Sequence, residues 1–223
     1  MFPYKDDNPS STFPIVTVSI IVLNTVVFML QMLNGTDGRQ IVYAYGAIPY
    51  NIVTMQTTQP IHPALTLFTS MFMHGGIFHI FGNMLYLWIF GNNIEDRLGH
   101  FRFILFYLFC GIAAAMSHAL VAPSSTVPMI GASGAISGVL GAYLLLFPYA
   151  RVHTIIFLGF FVQTIRIPAL IVIGFWAIIQ LLSGLTAQGI QSQGGIAWFA
   201  HVGGFVAGLV TIKLWQPRRV KTW

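Results

Sequence analysis

The sequence predicts an all-α membrane protein: a six-transmembrane-helix bundle with a long interfacial loop between helices 1 and 2. Three observations predict it. Of 223 residues, 56% are hydrophobic and only 7% charged, against about 25% charged in a soluble domain, and the mean hydropathy is +0.78. Apolar runs near the roughly 20 residues that cross a bilayer core as helix recur along the whole chain. The basic residues, finally, gather in one alternate set of the segments between those runs.

The runs lie at about 13–33, 76–90, 101–121, 132–147, 165–185 and 196–215, and read as one membrane domain over 1–223. Pro14 suits the first turn of the first helix, and Pro148 stops the fourth. Ahead of the first run, Lys5, Asp6, Asp7, Asn8 and Pro9 are polar without a basic bias. No small-residue cleavage site follows that run, so the first span is expected to be retained. The interval from Asn34 to Gly76 mixes turn residues with aromatics and aliphatics, and reads as a loop lying in the membrane interface. The Gly- and Gln-rich segment "TAQGIQSQGG" at 186–195 reads as a mobile loop. There is no internal repeat.

Charge then orients the chain. Lys5, Arg97, Arg102, Arg151, Arg166, Lys213, Arg218, Arg219 and Lys221 fall on the side shared by both termini, and only Arg39 on the other. The positive-inside rule makes both termini cytoplasmic and turns the long loop, the Pro123–Gly131 loop and the Gln-rich loop outward. The basic pI of about 9.6 is then a consequence of topology in the lipid bilayer, with no nucleic-acid partner needed. The lone Cys110 lies in an apolar run and excludes a disulfide framework. Without an organelle presequence, a prokaryotic plasma membrane is the expected location.

The stretch "GASGAISG", Gly131 to Gly138, is almost all small residues yet carries two serines. A helix from Ser133 to Phe147 is about 22 Å long, short of a roughly 30 Å hydrocarbon core. It therefore begins below the outer surface, and "VPMIG" dips in as irregular backbone, which is tolerated where it lines a wet cavity. Close helix packing alone accounts for the glycines and alanines. The company of polar groups goes further. At a helix start, Ser133 and its neighbours present N–H groups without intrahelical partners, the beginnings of an oxyanion hole. Ser137, one turn deeper, can bond back to the Ser133 carbonyl and fall silent.

A serine nucleophile needs a base. His62 and His74 lie in the outer loop, and His100 and His153 at the cytoplasmic end, which leaves His79, His118 and His201. His201, in "AWFAHVGGFVAG", enters from the same side as Ser133 and is followed by Gly204 and Gly208, a face that packs tightly on Gly-rich neighbours. His118 reads more simply as an interhelical hydrogen-bonding residue. The acids are Asp6, Asp7, Asp37, Glu95 and Asp96, and only Asp37 falls outside the cytoplasmic face. No carboxylate is thus placed to orient His201, and any hydrolysis here is by a Ser–His dyad. His79 and Asn83, four apart in "HIFGN", share a helix face and read as donors toward developing negative charge.

These residues resemble the rhomboid family of intramembrane serine proteases. "HGGIFHIFGN" at the second span, "GASG" opening the fourth and "AHVGG" in the sixth match in order and spacing, over roughly Pro14 to Trp215. The resemblance implies Ser133 as nucleophile, His201 as base, and His79 and Asn83 as oxyanion donors. It implies hydrolysis of peptide bonds in or beside the membrane span of single-span protein substrates. Two features depart from many relatives. Ser137 stands where an aromatic residue commonly packs against the histidine ring, and the long loop lacks a Trp-Arg pair, since Arg39 follows Gly38. No cofactor and no metal are implied: His74 and His79 are five apart and no carboxylate completes a zinc site. The rival readings are a proteolytically silent membrane chaperone or binding module, which the intact dyad argues against, and a channel, which would line a full path with polar residues.

Overall fold

In the computed structural model, which describes residues 2–33, 37–158, 161–187 and 197–217, strand β1 (Phe2–Asp6) precedes helix α1 (Ile15–Leu33). Next come α2 (Asp37–Tyr45), α3 (Pro49–Thr54) and α4 (Pro63–Thr69), the last passing into a 3₁₀ turn at Ser70–Phe72. Helix α5 (Ile77–Tyr86) continues through a π turn at Leu87–Gly91 into α6 (Asn92–Leu98), followed by α7 (His100–Val121) and α8 (Ser133–Leu146). Strands β2 (Arg151–Leu158) and β3 (Phe161–Pro168) lead into α9 (Ala169–Ala187) and then α10 (Trp198–Trp215).

Among the described residues, four helices, α1, α7, α9 and α10, are long and apolar enough to cross a membrane. The count reaches five if Pro63–Phe72 and Ile77–Leu98, which meet at 85°, are one broken span. Four or five of the six expected spans thus meet the length and apolarity of a membrane crossing among the described residues. Helix α8 has 14 residues, about 21 Å of helix, and is too short to span alone. The second run does not stop at Phe90 but winds on through the π turn to Leu98.

The interval read as an interfacial loop is largely helical. Pro49 and Pro63 sit at the first positions of α3 and α4, where a missing N–H costs nothing, and the His62 ring caps α4 by accepting from Ala64 N at 3.2 Å. The all-α expectation also fails at one end of the bundle. Residues 151–168, rich in β-branched side chains, form an antiparallel hairpin from Arg151↔Pro168 to Leu158↔Phe161, and β1 pairs with its other edge at Phe2↔Ile155. The fifth helix therefore begins at Ala169 rather than 165. Most of the 186–195 loop lies outside the described residues.

Acidic side chains, two of them buried, tie this sheet end together. Glu95 is fully buried and accepts from Val16 N (2.8 Å), Thr17 N (2.7 Å) and His100 Nδ1 (2.5 Å), so the start of α1 is capped by α6. Asp96 takes the same part for Ser11 and Thr12, whose N–H and hydroxyl groups all donate to Oδ1. The Tyr143 hydroxyl at the end of α8 donates to Asp6 Oδ2 at 2.5 Å, anchoring β1. Burial pushes the Asp6 carboxyl above the usual range despite that bond, whereas the His153 ring holds the neighbouring exposed Asp7 below it.

Helix α8 is the buried centre of the bundle, with every residue from Gly134 to Tyr143 inaccessible. Its small residues admit α10 to backbone contact: a Cβ at Gly204 would strike the Gly134 carbonyl, and one at Gly208 the Gly138 carbonyl. On the opposite flank, Cys110 and Ala114 of α7 fill the hollows over Gly138 and Gly134. Gly208→Ala is therefore expected to force α8 and α10 apart at a cost of about 1–3 kcal/mol or more. Gly174→Ala, where nothing lies within 4 Å, should be neutral or slightly stabilising. Thermal melts of both variants in detergent check this.

Candidate active site

At the end of the bundle opposite the sheet, a cavity of about 1230 Å³ opens among α5, α7, α8, α9 and α10. All four residues singled out in the sequence, His79, Asn83, Ser133 and His201, line it, as do His118 and Gln180. None of the described residues that line it is Asp, Glu, Lys or Arg.

Ser133 is the first residue of α8, immediately after Gly131 and Ala132. Gly131 adopts φ +121°, which side chains rarely tolerate, and this turn feeds the chain from the irregular segment into the helix. Gly131 N donates to Ser70 O at 2.9 Å, holding the segment against the 3₁₀ turn. The amides of the first helical turn have no intrahelical acceptors, and Ser133, Gly134 and Ala135 line the cavity.

His201 lies in the first turn of α10. Its Nε2 is 2.8 Å from Ser133 Oγ, and its Nδ1 is 2.6 Å from Gln180 Oε1. A side-chain carbonyl only accepts, so Nδ1 carries the proton and Nε2 turns its lone pair to the serine hydroxyl. Trp176 and Trp198 flank the ring, with centroids 6.1 Å and 6.2 Å away. Ser137 Oγ donates to Ser133 O at 2.6 Å, the silent back-bond that its spacing predicts.

The donors come from α5. His79 Nδ1 accepts from Gly75 N at 3.3 Å, so the neutral ring carries its proton on Nε2. That Nε2 and Asn83 Nδ2 both face Gly131, within 2.8 Å and 3.6 Å of where a Cβ would stand on it. Asn83 Nδ2 donates to His74 Nε2 at 2.9 Å, which uses one of its two amide hydrogens. His118 does not make the expected hydrogen bond through Nδ1, which is buried without a partner among the described residues.

His74, set aside in the sequence as an outer-loop residue, is 98% buried within this group, its ring 5.0 Å from that of His79. Gln31 at the end of α1 pins its backbone in both directions, Oε1 accepting from His74 N (3.1 Å) and Nε2 donating to His74 O (3.3 Å). Gln180 was also missed, although its amide interrupts the apolar run "ALIVIGFWAIIQLL", and a strongly polar side chain within a spanning helix is a functional signal in itself. Among the described residues, no group of three or more His, Cys, Asp or Glu side chains could hold a metal ion.

A helix-start serine in contact with a histidine, on a bundle of several spanning helices, defines a multi-pass integral membrane protein with hydrolase-like geometry. The model of the rhomboid domain matches residues 62–217, and the chain belongs to the rhomboid family. It is 28% identical over 205 residues to the rhomboid protease GluP of Bacillus subtilis, covering 92% of this chain and 34% of that protein. It is 32% identical over 157 residues to the mitochondrial RHOMBOID-like protein 6 of Arabidopsis thaliana, covering 68% of this chain and 44% of that protein. It is 29% identical over 151 residues to the mitochondrial rhomboid protein 1 of Saccharomyces cerevisiae, covering 66% and 40%. The chain thus spans less than half the length of each of these relatives.

Gly131 gives the site's most direct test of geometry. Gly131→Ala would place a methyl 2.8 Å from His79 Nε2 in a backbone conformation hostile to side chains. It is expected to lower stability by about 1–3 kcal/mol, read as a fall in melting temperature.

Proposed function

We propose that this chain is an intramembrane serine endopeptidase that hydrolyses peptide bonds in or beside the transmembrane segments of single-span membrane proteins by a Ser133–His201 dyad. The observation that carries the reading is the 2.8 Å approach of His201 Nε2 to Ser133 Oγ in a cavity at the head of a helix. Six membrane passages, with α8 as a short central one, and cytoplasmic termini in a prokaryotic plasma membrane complete it. The nine-to-one partition of basic residues supports the orientation.

In the mechanism, Ser133 Oγ attacks the scissile carbonyl carbon as its proton passes to His201 Nε2. Negative charge gathers on the carbonyl oxygen, which the amides of the first turn of α8, His79 Nε2–H and the free amide hydrogen of Asn83 stabilise. His201 returns the proton to the leaving amine nitrogen, and an ester to Ser133 remains. Water then attacks that ester, His201 again taking the proton and passing it to Ser133 Oγ as the acid product leaves. Because a substrate helix satisfies its own backbone bonds in lipid, its scissile carbonyl is reachable only where the helix unwinds. The cut therefore falls toward the outer end of the substrate span.

Purified protein with a single-span substrate in liposomes tests the reading. Ser133→Ala and His201→Ala are expected to abolish cleavage, whereas Ser137→Ala, which removes only a back-bond to Ser133 O, retains much of it. Equal turnover by wild type and Ser133→Ala would leave the silent binding-module reading in its place. Asn83→Ala and His79→Ala should each lower kcat about 10²- to 10³-fold with little change in KM.

A further inference from the structure

We infer that Gln180 is the positioning residue for the base: its side-chain carbonyl accepts the Nδ1 proton of His201 and so holds the Nε2 lone pair toward Ser133 Oγ. The inference rests on the dyad reading above and adds to it the group that a Ser–His pair lacks.

The geometry leaves little else to do this. Oε1 of Gln180 stands 2.6 Å from Nδ1, a short and direct hydrogen bond. Glu95 and Asp96 cap the far end of the bundle, and Asp6 and Asp7 belong to the sheet. Ser137 is occupied by the Ser133 carbonyl. Trp176 and Trp198 wall the ring without an acceptor, since an indole offers only a donor. Trp176 and Gln180 are four apart on α9 and so share the face that meets α10. One helix thus supplies both a flat wall and the orienting bond. Gln180 is only 7% exposed, and an amide buried in an apolar helix is costly unless bonded.

The orientation matters to the chemistry. Were the amide turned to offer its NH₂, Nδ1 would have to accept, Nε2 would carry the ring proton, and the lone pair that takes the serine proton would be gone. With Oε1 inward, the Ser133 proton moves to Nε2, the ring becomes imidazolium, and the Nδ1–H···Oε1 bond becomes charge-assisted and stronger. The proton later leaves from Nε2 to the amine, and the Nδ1 proton stays throughout. The other titratable groups facing this cavity among the described residues are His79 and Tyr86 from α5 and His118 from α7.

Nitrogen-15 NMR of histidine-labelled protein in detergent reads the tautomer without reference to activity. Wild type is expected to hold His201 as the Nδ1–H form, and Gln180→Leu to release it into a mixture with the Nε2–H form. Labelling of Ser133 by a fluorophosphonate should slow about 10- to 100-fold in Gln180→Leu. In Gln180→Glu, which keeps an acceptor and adds charge, labelling should persist, with the acid limb of its pH profile moved to higher pH because a carboxylate stabilises the imidazolium. A wild-type ring in the Nε2–H form, or a tautomer ratio unchanged in Gln180→Leu, overturns the assignment. If Gln180→Leu does not fold, a Gln180→Glu pH profile identical to that of wild type overturns it. A wild-type Nδ1–H ring that is released in Gln180→Leu, with no labelling of Ser133 in any variant, supports the hold of Gln180 on the ring and sinks the protease reading instead.

Discussion

The backbone contact between α8 and α10 governs the rest of the molecule. Without side chains at Gly204, Gly208, Gly138 and Gly141, the two helices approach until carbonyls of one meet α-carbons of the other. In lipid there is little hydrophobic drive to bring helices together, so such close van der Waals contact is itself the adhesive. It also fixes depth. Ser133 opens α8 and His201 lies in the first turn of α10, and only helices this close bring a short serine within 2.8 Å of an imidazole. The same contact explains why α8 can be short: buried along Gly134–Tyr143, it meets protein rather than lipid and need not span a full hydrocarbon core.

The two ends of the bundle use polar groups differently. At the sheet end, Glu95, Asp96 and Asp6 spend their oxygens on the start of α1, the chain just before it, and Tyr143. Glu95 and Asp6 answer buried or half-buried donors and Asp96 answers exposed ones, while Asn8 Nδ2, Thr17 Oγ1 and Asn93 Oδ1 nearby are buried without partners among the described residues. At the cavity end, Nδ1 of His74 and Nδ1 of His118 are likewise buried without partners among the described residues. Each such group costs desolvation wherever it stands. What sets the cavity end apart is its imidazoles: His79, His118 and His201 line the cavity and His74 packs on His79.

Much of this was legible in the sequence, for identifiable reasons. Ser133, Ser137 and His201 could be placed because helix starts, small-residue faces and depth follow from local spacing, and the back-bond of Ser137 has the predicted partner. The hairpin at 151–168 was not legible: its Ile- and Phe-rich strands resemble the apolar start of a membrane helix until pairing with β1 and with each other decides. The interval before α5 hid its short helices behind turn residues that turn out to be helix starts, Pro49 and Pro63 among them. His74 and Gln180 escaped for a different reason. Each is defined by a partner distant in sequence, Gln31 and His201, and only the packing of α1 on the 3₁₀ turn and of α9 on α10 discloses it.

The amide at Gln180 also suits its surroundings better than the carboxylate common in soluble serine hydrolases. A carboxylate within a helix bundle in lipid would stand ionised in the resting site opposite a neutral ring, an unpaired charge whose burial is heavily penalised. It would be matched only while the imidazolium exists. An amide carbonyl makes the same hydrogen bond to Nδ1 in both states, carries no net charge at rest, and gains strength when the ring becomes cationic. It stabilises the imidazolium less than a carboxylate would, and the resting fold is spared a buried anion. With no Asp, Glu, Lys or Arg among the described residues of the cavity lining, the charges that would arise in the proposed turnover are those of the reaction itself, to be met by dipoles rather than by ions.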